Sequence, residues 1–166
     1  MSFEFDPTLL TVLIQLTVAA FLGLIVGAER SIAGKSAGMR TFALVSLGAC
    51  LFTVTSVLVT TQYFGKVNFD PMRVPAAIIA GIGFIGAGLI LFKGHTTRGL
   101  TTAAGMWISA GLGMAVGFGQ YAIAVYTGLL TLLIFTAVWF IEVRLKTYFG
   151  RERTMPEVEM NHLSDD

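Results

Sequence analysis

The sequence contains few charged residues, a single cysteine and no excess of either charge sign. Of its 166 residues 13% are charged, and the formal net charge is +1 at pH 7. A chain with so little net charge has no bulk electrostatic attraction to nucleic acid, so we expect no nucleic-acid partner. Its one cysteine, Cys50, lies in an apolar run, which excludes a disulfide framework and a CxxC metal motif.

Combinations of residues that carry catalysis or hold a metal are also scarce. The two histidines, His95 and His162, are far apart in the sequence, and neither has a cysteine beside it. No serine, histidine and acid stand in a catalytic arrangement, and no paired catalytic carboxylates stand out. Magnesium prefers several oxygen ligands in octahedral geometry, and no carboxylate clearly lies within an apolar run. We therefore predict no enzymatic activity, no cofactor and no metal site.

Apolar residues, in contrast, make up 55% of the chain, which is too many for a soluble domain of this size. About 20 consecutive apolar residues cross a bilayer as a helix, and continuous rather than alternating runs argue against a barrel. The sequence predicts an all-α integral membrane protein with a bundle of five transmembrane helices. Residues 1–7 and 147–166 are predicted to be polar tails on either side of a membrane domain, residues 8–146. The predicted spans are Thr8–Ala28, Thr41–Thr61, Val74–Phe92, Leu100–Gly119 and Tyr121–Ile141.

The distribution of lysine and arginine predicts the orientation of these spans. Nine of the 11 lysines and arginines lie in the first connection, the third connection and the C-terminal flank. The other two, Lys66 and Arg73, lie on the opposite side. Because positive residues favour the cytoplasmic side, we expect the N-terminus outside and the C-terminus in the cytoplasm.

The stretch from Gly81 to Gly86 reads G-x-G-x-x-G, which in a soluble protein would suggest a dinucleotide site. That site needs a preceding strand and an acidic residue about 20 positions later, and the next acid after Gly86 is Glu142. Small residues at spacings of four instead let membrane helices approach closely. We predict that such residues pack helices together, within one bundle or in a homodimer. They are Gly23, Gly27, Gly81, Gly83, Gly105, Ser109, Gly113 and Gly117.

Charged residues border the predicted spans and are expected to converge on one cytoplasmic rim. They serve either as interfacial anchors or as a functional site, which we would place at the turn from Lys93 to Arg98. Glu29 is negatively charged, so the positive-inside rule does not explain its position. We expect it to form a salt bridge with an arginine across the bundle. On the other side, Asp70 and Pro71 are typical of a helix start, where Asp caps exposed amides. The rim residues are Glu29, Arg30, Arg40, Lys93 and Arg98.

Three segments resemble the signature regions of the MgtC/SapB family of membrane proteins. They are GAERSIAGKSAGMRT, DPMRVPAAIIAGIGFIGAGLI and TTRGLTTAAGMWISAGLGMAVG. The motifs G-x-E-R, G-x-R-T, D-P-x-R and R-G-L-x-T-A-A form a specific combination within one small membrane protein. The positions that match them are Glu29, Arg30, Gly38, Arg40, Thr41, Asp70, Pro71, Arg73, Arg98, Gly99 and Thr102.

The resemblance implies a protein of the bacterial cytoplasmic (inner) membrane with a role in magnesium homeostasis and, in pathogens, in virulence through survival inside macrophages. It implies a regulatory role through contacts with other membrane proteins, including the F-type ATP synthase. The sequence is interpreted as a short form, because longer members of the family continue into a soluble C-terminal domain. The alternative function is a small channel or transporter for magnesium or another cation, with a polar path past Gly83 and Thr102. A purely structural subunit of a larger complex is a third, weaker alternative.

Overall fold

The computed structural model describes residues 7–63, 70, 72–93, 96–141 and 144–145. The predicted C-terminal tail, most of the N-terminal tail and Pro71 lie outside these residues. The described residues form five α-helices, and a short π-helical segment, Ile134–Val138, follows the last of them. Two strands connect the third helix to the fourth. The elements are α1 (Pro7–Ile32), α2 (Met39–Gln62), α3 (Arg73–Gly88), β1 (Leu91–Lys93), β2 (Thr96–Arg98), α4 (Leu100–Gly117) and α5 (Tyr121–Leu133).

Long apolar helices dominate this architecture. Four helical segments are long and apolar enough to cross a membrane: Thr8–Ile32, Met39–Gln62, Leu100–Gly117 and Tyr121–Ile141. Helix α3 is also apolar, but its 16 residues extend only roughly 24 Å, less than the thickness of a bilayer core. The prediction of a helical chain built from long apolar segments is confirmed, and the count of five spans stays a prediction.

The connection between α3 and α4 differs from the predicted all-α fold. The third span was predicted to continue to Phe92, but α3 ends at Gly88 and the chain enters an antiparallel hairpin. In this hairpin Leu91 lies opposite Arg98, and Phe92 lies opposite Thr97. Glycines weaken the end of the helix, whereas aromatic and β-branched residues favour strands. The predicted helical end of the third span is therefore wrong, and the hairpin replaces it.

Helix α2 packs closely against α1, which runs antiparallel to it. A Cβ atom added at Gly27 would lie 2.8 Å from the Cα atom of Met39, and one at Gly23 would lie 2.8 Å from the Cβ atom of Ser46. Because carbon atoms in ordinary contact are about 3.5–4.0 Å apart, a larger residue at either position would separate the helices. The two glycines therefore permit the contact between α1 and α2.

Helix α4 packs against α2 in the parallel direction. The Ser109 hydroxyl donates a hydrogen bond of 2.8 Å to the carbonyl oxygen of Phe42. One turn further along both helices, a Cβ atom at Gly113 would overlap the carbonyl oxygen of Ser46. At the following turn, a Cβ atom at Gly117 would lie 2.7 Å from the Cβ atom of Thr53. The small residues of α4 thus match successive turns of α2, and this face is used within the chain.

Several polar side chains in the interior donate hydrogen bonds to backbone carbonyls, whereas the buried Ser46 hydroxyl has no partner among the described residues. The Gln15 side chain donates from Nε2 to the carbonyl oxygens of Val116 and Gly117, at 3.1 and 3.2 Å. The Thr53 hydroxyl donates to Ala49 O, one turn earlier in α2, at 2.8 Å. Such bonds satisfy polar groups that lipid cannot, and the bonds from Gln15 link α1 to α4.

Candidate functional site

Most of the charged and motif residues lie at one end of the helices, which we call the hairpin end. It comprises the C-terminal end of α1, the N-terminal end of α2, the C-terminal end of α3, the β-hairpin and the N-terminal end of α4. The directions of α1, α2 and α4 place these ends together, and Gly86 of α3 approaches Ala103 of α4. The candidate residues there are Glu29, Arg30, Gly38, Arg40, Thr41, Lys93, Arg98, Gly99 and Thr102.

The turn between α1 and α2 is fixed by Ser31, which the sequence pattern did not indicate. Its hydroxyl oxygen accepts a hydrogen bond of 3.0 Å from the backbone N–H of Met39, the first residue of α2. A Cβ atom at Gly38 would overlap this oxygen, so a larger residue there would displace the Ser31 side chain from the start of the helix. A capping oxygen normally comes from the residue directly before a helix. A cap supplied by the preceding helix has no local sequence signal.

Glu29 and Arg30 form an ion pair in the last turn of α1. The side chain of Arg30 is only 4% exposed, and that of Glu29 is 17% exposed. Their contact joins Glu29 Oε2 to Arg30 Nε. The expectation of a salt bridge to an arginine across the bundle is wrong, because the described partner of Glu29 is its neighbour on the same helix. The pair brings a buried guanidinium to this end with its charge compensated, which makes its burial tolerable.

Two further arginines of the hairpin end are exposed. Arg40 lies in the first turn of α2, and Arg98 is the last residue of β2. Neither forms an ion pair with the residues that the structure describes. Thr102, in contrast, is buried in α4 with 3% exposure. The hairpin end therefore contains two exposed arginines as well as the largely buried ion pair of Glu29 and Arg30.

The hairpin joins α4 through Gly99. This residue has a φ of 91°, and its carbonyl oxygen accepts a hydrogen bond of 2.8 Å from Ala103 N–H at the start of α4. A Cβ atom at Gly99 would overlap the carbonyl oxygen of Leu89. Both its backbone conformation and the space around it require glycine. Of Lys93, the structure describes the backbone, which pairs with Thr96.

Asp70 and Arg73 lie apart from the hairpin end, at the opposite end of α3. The Asp70 carboxylate accepts a hydrogen bond of 2.9 Å from the backbone N–H of Met72. The N–H of Arg73 donates to the carbonyl oxygen of Asp70 at 3.1 Å. Asp70 thus orders the turn before α3 rather than capping an amide inside the helix. The structure does not bring this motif together with the other motif residues.

The predicted helix-packing residues fall into two groups. Those of α1 and α4 lie in the interior of the chain, in contact with α2 or buried beside it. Gly81 and Gly83 of α3 are instead exposed, and a Cβ atom at either would have no atom within 4 Å. The interior residues are Gly23, Gly27, Gly105, Ser109, Gly113 and Gly117.

The long apolar helices, their close packing through glycines and the cationic hairpin end define a helical integral membrane protein. Among the described residues, no three His, Cys, Asp or Glu side chains are placed to hold a metal ion. The sequence profile of the MgtC family matches residues 16–144, and the chain belongs to this family.

Curated relatives agree with this assignment. YhiD of Escherichia coli, whose name marks it provisionally as a magnesium transporter, is 40% identical over 74% of this chain and 58% of its own length. Protein SapB of Bacillus subtilis is 38% identical over 81% of this chain and 57% of its own length. Protein MgtC of Salmonella typhimurium is 42% identical over 66% of this chain and 44% of its own length. The matched region thus spans about half of each relative. No solved structure matches the chain.

Proposed function

We propose that this protein regulates adaptation to low magnesium by contacting other membrane proteins through its hairpin end. The observation that carries this proposal is the contrast between the exposed arginines Arg40 and Arg98 and the internal polar groups. Of these internal groups, Gln15, Thr53 and Ser109 donate hydrogen bonds to helix backbones. Exposed cations at a membrane edge are suited to bind acidic groups of a partner protein. The name of YhiD connects the family to magnesium, and the resemblance implies the F-type ATP synthase as one partner.

The proposal includes a five-span topology in the cytoplasmic membrane. In this topology the hairpin end and the C-terminus face the cytoplasm. Helix α3 spans the membrane together with the residues that flank it. Five described lysines and arginines lie at the hairpin end. By the positive-inside rule, this excess of positive charge supports a cytoplasmic location for the hairpin end. The five residues are Arg30, Lys35, Arg40, Lys93 and Arg98. The homodimer that the sequence predicts stays a prediction.

Reporter fusions test this topology. An alkaline phosphatase fused after Lys66 is expected to be active, since only an external enzyme folds. The same enzyme fused after Leu145 is expected to be inactive, and a fluorescent protein fused there should be bright. The fluorescent protein at position 66 serves as the reciprocal control. The same reporter active at both positions would contradict the odd number of spans, three, that the five-span topology places between Lys66 and Leu145.

The regulatory role is tested by growth in low magnesium. In cells that lack the chromosomal gene, Arg98→Gln is expected to reduce growth rescue by at least about threefold, because an exposed interface cation contributes about 1 kcal/mol to binding. The matched control is Arg144→Gln, which removes an exposed arginine that matches none of the family motifs and should rescue like the wild type. Both variants must reach wild-type levels in the membrane. Equal rescue by Arg98→Gln and the wild type would argue against the hairpin end as the contact surface.

A second candidate is cation transport, which the name of YhiD favours. The path predicted for it passes Gly83 and Thr102. In the structure Gly83 is exposed and Thr102 is buried. The transporter and the regulator differ in one measurable property, since only the transporter moves magnesium across a bilayer without another protein.

A further inference from the structure

A long groove separates α2 from α3 on the outer surface of the bundle. Its volume is about 1050 Å³, and Met106 and Ala110 of α4 form its floor. Along α2 it extends from Arg40 to Val59, a rise of roughly 28 Å, which is close to the thickness of a bilayer core. We call this feature the α2–α3 groove.

The groove is apolar along its length and cationic at one end. Leu44, Phe52 and Ile85 are among the side chains that form its walls. Arg40 and Thr41 close it at the hairpin end, where α2 begins. The guanidinium of Arg40 has no ion-pair partner among the described residues. Because Arg40 lies in the first turn of a helix long and apolar enough to cross a membrane, we expect it to lie at the level of the lipid headgroups.

Two glycines make the groove wide near its middle. Gly48 of α2 and Gly81 of α3 line opposite walls, and a Cβ atom at either would meet no atom within 4 Å. Glycine inside a helix costs up to about 1 kcal/mol relative to alanine, and no contact with the described residues explains it at these two positions. The open space beside them is large enough to receive part of another molecule.

We propose that the α2–α3 groove binds one anionic diacyl phospholipid, with its phosphate at Arg40 and its acyl chains between Gly48 and Gly81. The charge pattern selects this occupant: Arg40 lies at one end of a groove whose other lining residues are mostly apolar, which matches an anionic headgroup followed by acyl chains. The groove also opens on the outer surface of the bundle, where lipid is the surrounding solvent. The proposal does not depend on the regulatory function proposed above.

The headgroup contact is tested with the purified full chain in a non-ionic detergent. Phosphatidylglycerol and phosphatidylcholine with identical acyl chains are added, and bound lipid is measured by native mass spectrometry. The wild type is expected to bind phosphatidylglycerol about fivefold more tightly, as one cation near a lipid surface contributes about that factor. Arg40→Gln should abolish the preference, and Arg73→Gln should retain it. Inorganic phosphate should not displace the lipid, since it lacks the acyl chains. An unchanged preference in Arg40→Gln, or displacement by inorganic phosphate, would overturn the proposal.

The acyl-chain contact is tested by filling the groove. Gly48→Leu is expected to weaken binding of both lipids at least about fivefold, because its side chain enters the open space without meeting the protein. Gly83→Leu is the matched control: this position also has open space but does not line the groove, so lipid binding should not change. Should Gly48→Leu instead convert a dimer to a monomer with lipid binding unchanged, the groove is an interface between two copies and the lipid proposal is wrong.

Discussion

The Gly113→Ala variant is expected to be less stable than the wild type by about 3 kcal/mol, the upper part of the range for overpacked cores. The added Cβ atom would overlap the carbonyl oxygen of Ser46, which belongs to the backbone of α2 and cannot rotate away. Relief requires α4 to move away from α2, and this movement would break the hydrogen bond between Ser109 and Phe42. The measurement is reversible unfolding in mixed detergent micelles with increasing sodium dodecyl sulfate.

The matched control for this variant is Gly111→Ala, two residues earlier on the same helix. A Cβ atom at Gly111 would have no atom within 4 Å, so the substitution is expected to be neutral or slightly stabilising. Equal stability of the two variants would contradict the close approach of α2 and α4 and, with it, the parallel packing described for these helices.

The Gly99→Ala variant is expected to disrupt the junction between the hairpin and α4 and to lower stability by about 3 kcal/mol. Two costs combine at this position. A positive φ costs a residue with a Cβ atom about 1–2 kcal/mol, and the same atom would overlap the carbonyl oxygen of Leu89. Unfolding in mixed micelles measures the total, and growth rescue in low magnesium measures the effect on function.

Gly34→Ala separates the two costs, because Gly34 has a φ of 66° but open space around it. Gly34→Ala should lower stability by about 1 kcal/mol, which is the cost of the positive φ without the cost of an overlap. If Gly99→Ala destabilised the chain no more than Gly34→Ala, the close contact between Gly99 and Leu89 would not be present in the folded protein.

Hydropathy and spacing predicted much of the fold, because both reflect requirements that lipid imposes along the whole chain. Long apolar runs in lipid form helices, and small residues at spacings of four allow helices to approach closely. The same spacing could not tell Gly113, which touches α2, from Gly81, which faces open space. That difference depends on how far α3 lies from α2, and no local pattern in either helix determines this distance.

The end of α3 was less predictable than the positions of the spans. Leu91 and Phe92 continue an apolar run, and apolarity alone does not distinguish a strand from the last turn of a helix. The partner of Glu29 was also hard to predict. The sequence indicated a partner of opposite charge, but it did not indicate that this partner would be Arg30, the next residue. The charged rim itself followed from topology, since a connection on one side of a membrane has to lie near the others on that side.

Magnesium flux into proteoliposomes tests the central claim most directly, namely that the protein acts through contacts with other membrane proteins. Purified wild-type chain, shown to be folded by its unfolding curve, is reconstituted into vesicles that contain a magnesium-sensitive dye. The account predicts an influx equal to that of protein-free vesicles under a magnesium gradient with a membrane potential. An influx above this background that is lost in Glu29→Gln would contradict the account and establish the chain as a transporter.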